Sequence, residues 1–182
     1  VAVASGVPWR DAGGGGGLGL GFSVEGYQPE NGGDVPGAKF RSVSPGYFAA
    51  LGIPILAGRD FSEADRLVAE KVVIISQSIA ERYFPGQDPV NRTFTWTDGI
   101  MKFIGVSQDP RRIIGVVPSI DDENIEARRM MLVYHPFEQE IGGGPLFVHT
   151  KSDAYALVPP ITRIIPELSA EQAGERAAAV HD

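Results

Sequence analysis

Apolar and polar positions alternate in several short stretches of this chain, and few runs are long. Phe22-Ser23-Val24-Glu25 and Thr93-Phe94-Thr95-Trp96-Thr97 alternate strictly, the pattern of strands with one buried face. Val72 to Ile75 and Ile113 to Val117 are continuous and β-branched, as in strands buried on both faces. Lys39 to Val43, Met130 to Tyr134 and Leu146 to Thr150 read as further strands, and Val1 to Ser5 as a strand end. Asp98-Gly99 is a hairpin signal that predicts a return strand over 100–106. Helical spacing is confined to shorter segments. Ile79, Ala80, Tyr83 and Phe84 share one face of a helix that Ser76 starts and Pro85-Gly86 ends. Asp153 caps a helix running toward Leu168 that Pro159-Pro160 must kink or restart, and 169–182 holds a second, alanine-rich helical pattern.

The most punctuated stretch is VSPGYFAALGIPILAGRDFSEAD, residues 43–65. Ser44 suits an N-cap and Pro45 the first helical position, which predicts a helix of about two turns over PGYFAAL. Val43 and Phe48 occupy the two positions of a hydrophobic staple, and Gly52 is the helical stop. Ile53 to Leu56 reads as a brief strand, Gly58-Arg59-Asp60 as a turn, Phe61 as an apolar anchor and SEAD as an acidic helix start. Gly46, Tyr47, Gly58, Arg59, Asp60, Phe84, Pro85 and Gly86 therefore receive backbone or packing roles, together with Ser44, Pro45, Phe48 and Gly52.

Composition removes several functions. The 182 residues hold no cysteine, which excludes thiol catalysis and cysteine-based zinc sites. A net charge of −7, with Arg111-Arg112 and Arg128-Arg129 beside acidic residues, speaks against nucleic acid as a partner. No apolar run reaches the length of a membrane span. Gly14, Gly16 and Gly19 fit G-x-G-x-x-G, but a strand pattern follows them where a phosphate loop needs a helix. DDENIE, 121–126, lacks the glycine and spacing of a calcium loop. His135, His149 and His181 lack metal-ligand spacing and read as strand-end or surface residues. Ser76 reads as a cap and Ser78 as a surface residue, with no nucleophile motif around them. Carboxylates at Asp60, Glu63 and Asp65 with Arg59 read as a salt-bridged turn rather than an acid–base pair. No cofactor and no metal is expected. Tyr27, Tyr47, Trp96 and Tyr134 are interface anchors by residue type.

The residues alone thus give a mixed α and β domain for binding or mechanics. Segments 43–65, KVVIISQSIAERYFPGQDPV (71–90), RIIGVV (112–117) and MLVYHPF (131–137) together resemble the MacB-like periplasmic core domain of ABC transporter permeases of the macrolide-exporter type. The resemblance covers residues 36–168; it departs at Asn91-Arg92, where that family has Gly-Lys, and at Pro159-Pro160. It implies an α+β fold: a porter-like βαβ subdomain, residues 1–58 and 141–168 with its N-terminal part truncated, and an inserted, mainly β, sabre-like subdomain, residues 59–140. Residues 169–182 would lead toward the membrane.

The strand-like start suits a segment lying inside a longer protein. The resemblance further implies a non-catalytic, membrane-anchored domain of an export permease on the periplasmic side of the bacterial inner membrane, transmitting motion and docking a periplasmic partner or substrate. Its partners would be the transmembrane helices of the parent permease, a periplasmic adaptor protein and a second copy in a homodimer of the full-length protein. ATP hydrolysis would lie in a cytoplasmic domain. A free-standing extracytoplasmic module for a peptide or small apolar ligand is the alternative.

Overall fold

The two apolar runs sit side by side. In the computed structural model, β5 (Val72–Ser76) lies parallel to β7 (Arg111–Val117) and antiparallel to β8 (Leu132–Pro136). The structure describes residues 2–3, 19–27, 36–103, 105–119, 131–139, 146–147, 156, 159–160 and 163. β8 continues in parallel to β3 (Gly37–Val43), then β2 (Leu20–Val24) and β6 (Thr93–Trp96) follow antiparallel. β6 returns to β7 through Thr93 opposite Arg112 and Phe94 opposite Arg111, so the sheet closes on itself. β4 (Ala57–Gly58) adds to the other end of β7. Residue 58, the boundary expected between subdomains, lies inside this seven-stranded sheet, which takes strands from both sides of it. A separate pair joins β1 (Ala2–Val3) to β9 (Leu146–Phe147). The fold is mixed α and β and dominated by sheet.

Both faces of the sheet are covered. Along β5, Val73 and Ile75 enter one core cluster while Val72 and Ile74 enter a second. The first cluster gathers Phe22, Phe94, Trp96, Ile113 and Val133 with Ile79 and Tyr83. The second gathers Val43, Tyr47, Phe48, Phe61, Ile114 and Tyr134. β7 serves both through a bulge: Val73 pairs with Ile113 and Ile74 with Gly115, leaving Ile114 as the extra residue. The two-to-one step moves Val116 back to the first cluster and Val117 to the second.

Helices are short. α1 is Tyr47–Ala50, one turn rather than two. Ser44 does not cap it. Its carbonyl accepts from the Tyr47 N–H at 3.2 Å, and Gly46 at φ 79°, ψ 2° takes the third position of a type II turn with Pro45 second. The left-handed Gly46 keeps Pro45 out of the helix. At the other end the Ile53 N–H reaches the Phe48 carbonyl at 2.8 Å and the Gly52 N–H the Ala49 carbonyl at 3.2 Å, a Schellman motif with Gly52 at φ 68°. Residues 53–56 form no strand, although the Leu56 N–H does donate to the Val116 carbonyl. SEAD forms turns rather than a helix start.

α2 (Gln77–Tyr83) begins after Ser76, as the spacing predicts, but the Ser76 hydroxyl bonds no helix amide. It lies 2.9 Å from the Ser78 hydroxyl and accepts from the Leu132 N–H. The first-turn amide of Ser78 is instead satisfied by Ser119 Oγ, from the segment after β7. Ser78 is buried, not a surface residue.

The Asp98-Gly99 hairpin is also overturned. Asp98 Oδ1 accepts from the Ile100 N–H, and α3 (Ile100–Phe103) forms where a return strand was expected. The Val106 N–H reaches the Met101 carbonyl across left-handed Gly105, a second Schellman closure. Asn91 adopts φ 67°, the left-handed geometry that asparagine tolerates best after glycine, so the Gly-to-Asn departure leaves the turn intact.

The loop over 66–72 is held from afar. Buried Gln139 donates to the carbonyls of Glu70 and Arg66 and accepts from the Val72 N–H. Gly14, Gly16, 121–126, Arg128-Arg129, His149, His181, Asp153 and 169–182 lie outside the described residues. Pro159, Pro160 and Arg163 are helical and exposed, in a second unit spanning 148–182.

Candidate functional site

Nine of the twelve motif residues converge beside the second core cluster. Phe48 is fully buried, edge-on to Tyr134 at 5.0 Å and to Tyr47 at 5.5 Å, with Phe61 at 6.4 Å. The Ser44–Gly46 turn is tied to the Gly58–Asp60 turn by the Asp60 carboxylate, which accepts from the backbone N–H groups of Phe61 and Gly46. Gly58, at φ 74°, brings its Cα against β7: a Cβ there would stand 2.1 Å from the Ile114 carbonyl oxygen. Phe84, Pro85 and Gly86 are elsewhere. They follow α2, Phe84 packs in the first cluster, and Gly86 is left-handed at φ 68°.

Arg59 and Asp65 make a two-pronged pair, Nη1 to Oδ2 at 2.7 Å and Nη2 to Oδ1 at 2.8 Å. Ser62 adds its N–H and hydroxyl to Asp65 Oδ2. The Arg59 hydrogen bonds, and then those of Ser62, hold the Asp65 carboxyl below the ordinary aspartate range against the opposing effect of burial. Burial pushes the neighbouring Asp60 carboxyl up. The two therefore oppose each other with pH. A lowered folded-state value means that Asp65 stabilises the fold above the unfolded aspartate value and that this is lost as pH falls through the folded value. Asp60 has the opposite sign. Asp65→Asn is expected to lower stability by about 1 kcal/mol at neutral pH, since the Arg59 side chain is half exposed to screening solvent. It also removes the part of the acid destabilisation that Asp65 supplies. Urea unfolding of both chains at pH 7 and near pH 3 checks this.

This arrangement is a brace rather than a reaction centre. Its carboxylates are engaged by arginine, by backbone amides and by the Ser62 hydroxyl. Among the described residues no group of acidic or histidine side chains is placed to hold a metal ion. Two surface depressions, of about 440 and 300 Å³, flank α2; the larger is lined by Ala80, Glu81, Phe84, Pro85, Gly86 and Gln87. A second ion pair, Arg112 to Glu70 at 2.6 Å, holds the Glu70 carboxyl down and joins the loop after Asp65 to β7.

The anchors expected from residue type are corrected. Tyr47, Trp96 and Tyr134 are core residues, and only Tyr27 is partly exposed, edge-on to Tyr83 at 4.8 Å. Among the described residues, the large apolar side chains that face solvent are Phe103, 90 % exposed, with Ile100 on the same side of α3, Val68, 91 % exposed, beside Leu67, and Leu56. The sequence signal for the first pair was the one-turn helix between Asp98 and Gly105, hidden by the hairpin reading. His135 lies one residue from the end of β8, as a strand-end residue, and not at the surface. It is fully buried in β8 and accepts a hydrogen bond from Trp96.

The described strands thus form a sheet closed through β6 and β7 and braced at 44–65, with apolar residues carried outward on short turns. The family model for the MacB-like periplasmic core domain matches residues 18–156, and the chain belongs to that family, a non-catalytic one found in ABC transporter permeases. The periplasmic region of MacB from Actinobacillus actinomycetemcomitans shares the fold at a TM-score of 0.53 and 18 % identity, over 83 % of this chain and 65 % of that region. The chain thus spans just under two thirds of the MacB region. The extracellular domain of the ABC-type transporter YknZ from Gram-positive bacteria matches at 0.53 and 18 % identity, over 94 % of this chain and 76 % of that domain. No curated protein sequence matches the chain. In the described residues no helix is long and apolar enough to cross a membrane.

Proposed function

We propose that the chain is the extracytoplasmic domain of an ABC-type export permease, which transmits motion from the membrane and docks a periplasmic adaptor protein. The family match over residues 18–156 carries this reading. Coupling to ATP hydrolysis then lies in a cytoplasmic domain, and anchoring in the permease's own transmembrane helices. The braced sheet supports transmission: the Arg59 N–H and the Arg112–Glu70 pair tie the loop over 59–72 to β7, Gln139 ties it to the turn after β8, and Arg59–Asp65 closes the loop on itself, so displacement of one strand is shared by the others. Phe103, with Ile100 beside it, is the docking patch on this reading, because aromatic residues are enriched at protein interfaces and these two side chains are exposed together. The competing reading, a ligand-binding module, calls for an enclosed apolar cleft. The two depressions beside α2 are open and shallow.

The test uses the full-length permease. Ile100→Ser with Phe103→Ser is expected to leave membrane level and domain stability unchanged, since both side chains already face water. Adaptor affinity, measured with purified components, is expected to fall about tenfold or more. Unchanged affinity and unchanged export together would remove these residues, and the docking role with them.

A further inference from the structure

The first core cluster contains one side chain that can change charge near neutral pH. His135 is fully buried in β8, and its Nε2 accepts from Trp96 Nε1 at 3.0 Å. The indole and imidazole planes differ by 17° with ring centres 6.0 Å apart, the geometry of an in-plane N–H···N bond rather than of a face-to-face stack. Trp96 belongs to β6, so the bond runs over the two strands between, β2 and β3, whose Phe22 and Phe40 lie against the indole. Indole nitrogen only donates, and an acceptor Nε2 carries no hydrogen. A second proton on the imidazole turns Nε2 into a donor facing a donor.

We infer that the Trp96–His135 bond is a proton-sensitive tie inside the domain, closed while the imidazole is neutral and broken when it takes up a proton. The inference stands on this bond and its burial, independently of the transport reading. On β3, Lys39 and Arg41 alternate with Phe40 and lie on the opposite face, while Ser42 is level with His135. On β7, Arg111 is buried on the same face as Ile113 and donates to the Ser107 carbonyl. On α3, Lys102 is exposed. The acids are taken or distant: Asp98, after β6, accepts from Ile100; Glu25, after β2, is bonded to Arg92 and Thr93; Glu138, after β8, is exposed. The Phe40 ring lies 4.5 Å from the imidazole. A domain of the periplasmic side meets the proton concentration of its surroundings, so acid would loosen β6 from β8 there.

The chain has two tryptophans, so Trp9→Phe leaves Trp96 as the sole emitter. In that background Trp96 emission is expected to shift to longer wavelength in one reversible step below about pH 6.5, the ordinary imidazole value, while the far-ultraviolet circular dichroism stays constant. His135→Gln keeps an acceptor at the place of Nε2 and has no proton to gain, so the step should vanish. A flat profile down to global acid unfolding, or a step that survives His135→Gln, overturns the inference. A second measurement covers failure of that variant to fold. In a His149→Gln, His181→Gln chain only His135 remains to report imidazole nitrogen shifts. Its Nε2 is expected to change from acceptor to protonated at the midpoint of the emission step. Titration of His135 without any change at Trp96 overturns the tie equally.

Discussion

Phe48→Ala is expected to lower unfolding free energy by about 3–5 kcal/mol, and Tyr47→Ala by about 3 kcal/mol, the range for buried aromatic side chains truncated without collapse of the site. Phe48 is fully buried against Tyr47, Phe61 and Tyr134, which come from three separate segments. Those segments cannot close over the void together. One is a one-turn helix, one a tethered turn and one a central strand, so most of the cavity persists. Tyr47 sits beside it and also meets Tyr134, at 6.4 Å. Urea unfolding followed by circular dichroism reads both values. Midpoints equal to that of the parent chain would end the account of residues 43–65 as a packing element.

Gly58→Ala is expected to cost about 3 kcal/mol or more, whereas Gly46→Ala should cost only about 1 to 2 kcal/mol. Both glycines are left-handed, at φ 74° and 79°, so both variants carry the strain of a Cβ in that region. At Gly46 the new methyl meets nothing within 4 Å. At Gly58 it meets the Ile114 carbonyl oxygen at 2.1 Å and the Gly115 Cα at 2.9 Å. These are backbone atoms of a central strand and cannot rotate aside. β4 must leave β7, and the Arg59 N–H then loses the Ile114 carbonyl. Thermal melting of the two variants side by side isolates the close approach from the dihedral strain. Equal losses would show that β4 is free to move.

The legible parts of the sequence were those where one local rule acts alone. The β5 and β7 runs and the alternation of Thr93 to Trp96 fixed strands because burial period and propensity agree there. Gly52 was legible as a stop because only a left-handed residue closes the helix. The misreadings fall where the same residues satisfy two rules. Ser-Pro-Gly-Tyr fits a capped helix start and a type II turn, and the left-handed Gly46 takes the turn. Asp98-Gly99 fits a hairpin and a helix entry, and β6 already had β2 and β7 as partners. Trp96 and His135 lie 39 residues apart, with no spacing rule to link them. The exposed Phe103 followed from the α3 error. The family resemblance was legible because its punctuation is turn chemistry, read residue by residue along 43–65 and 71–90.

The pairing of β6 with β7 has a consequence for how this domain can meet others. A strand at the rim of an open sheet offers a row of unused amides and carbonyls to any extended chain nearby. Here the two strands that would have formed long rims bond to each other at Thr93–Phe94 and Arg111–Arg112, and only the two residues of β4 are added outside the ring. The seven-stranded sheet therefore gives little template for growth by strand addition. Among the described residues, the strand edges left outside the ring are those of β4 and of the β1–β9 pair, each only two residues long, so side chains rather than backbone make up most of what that sheet offers at its surface.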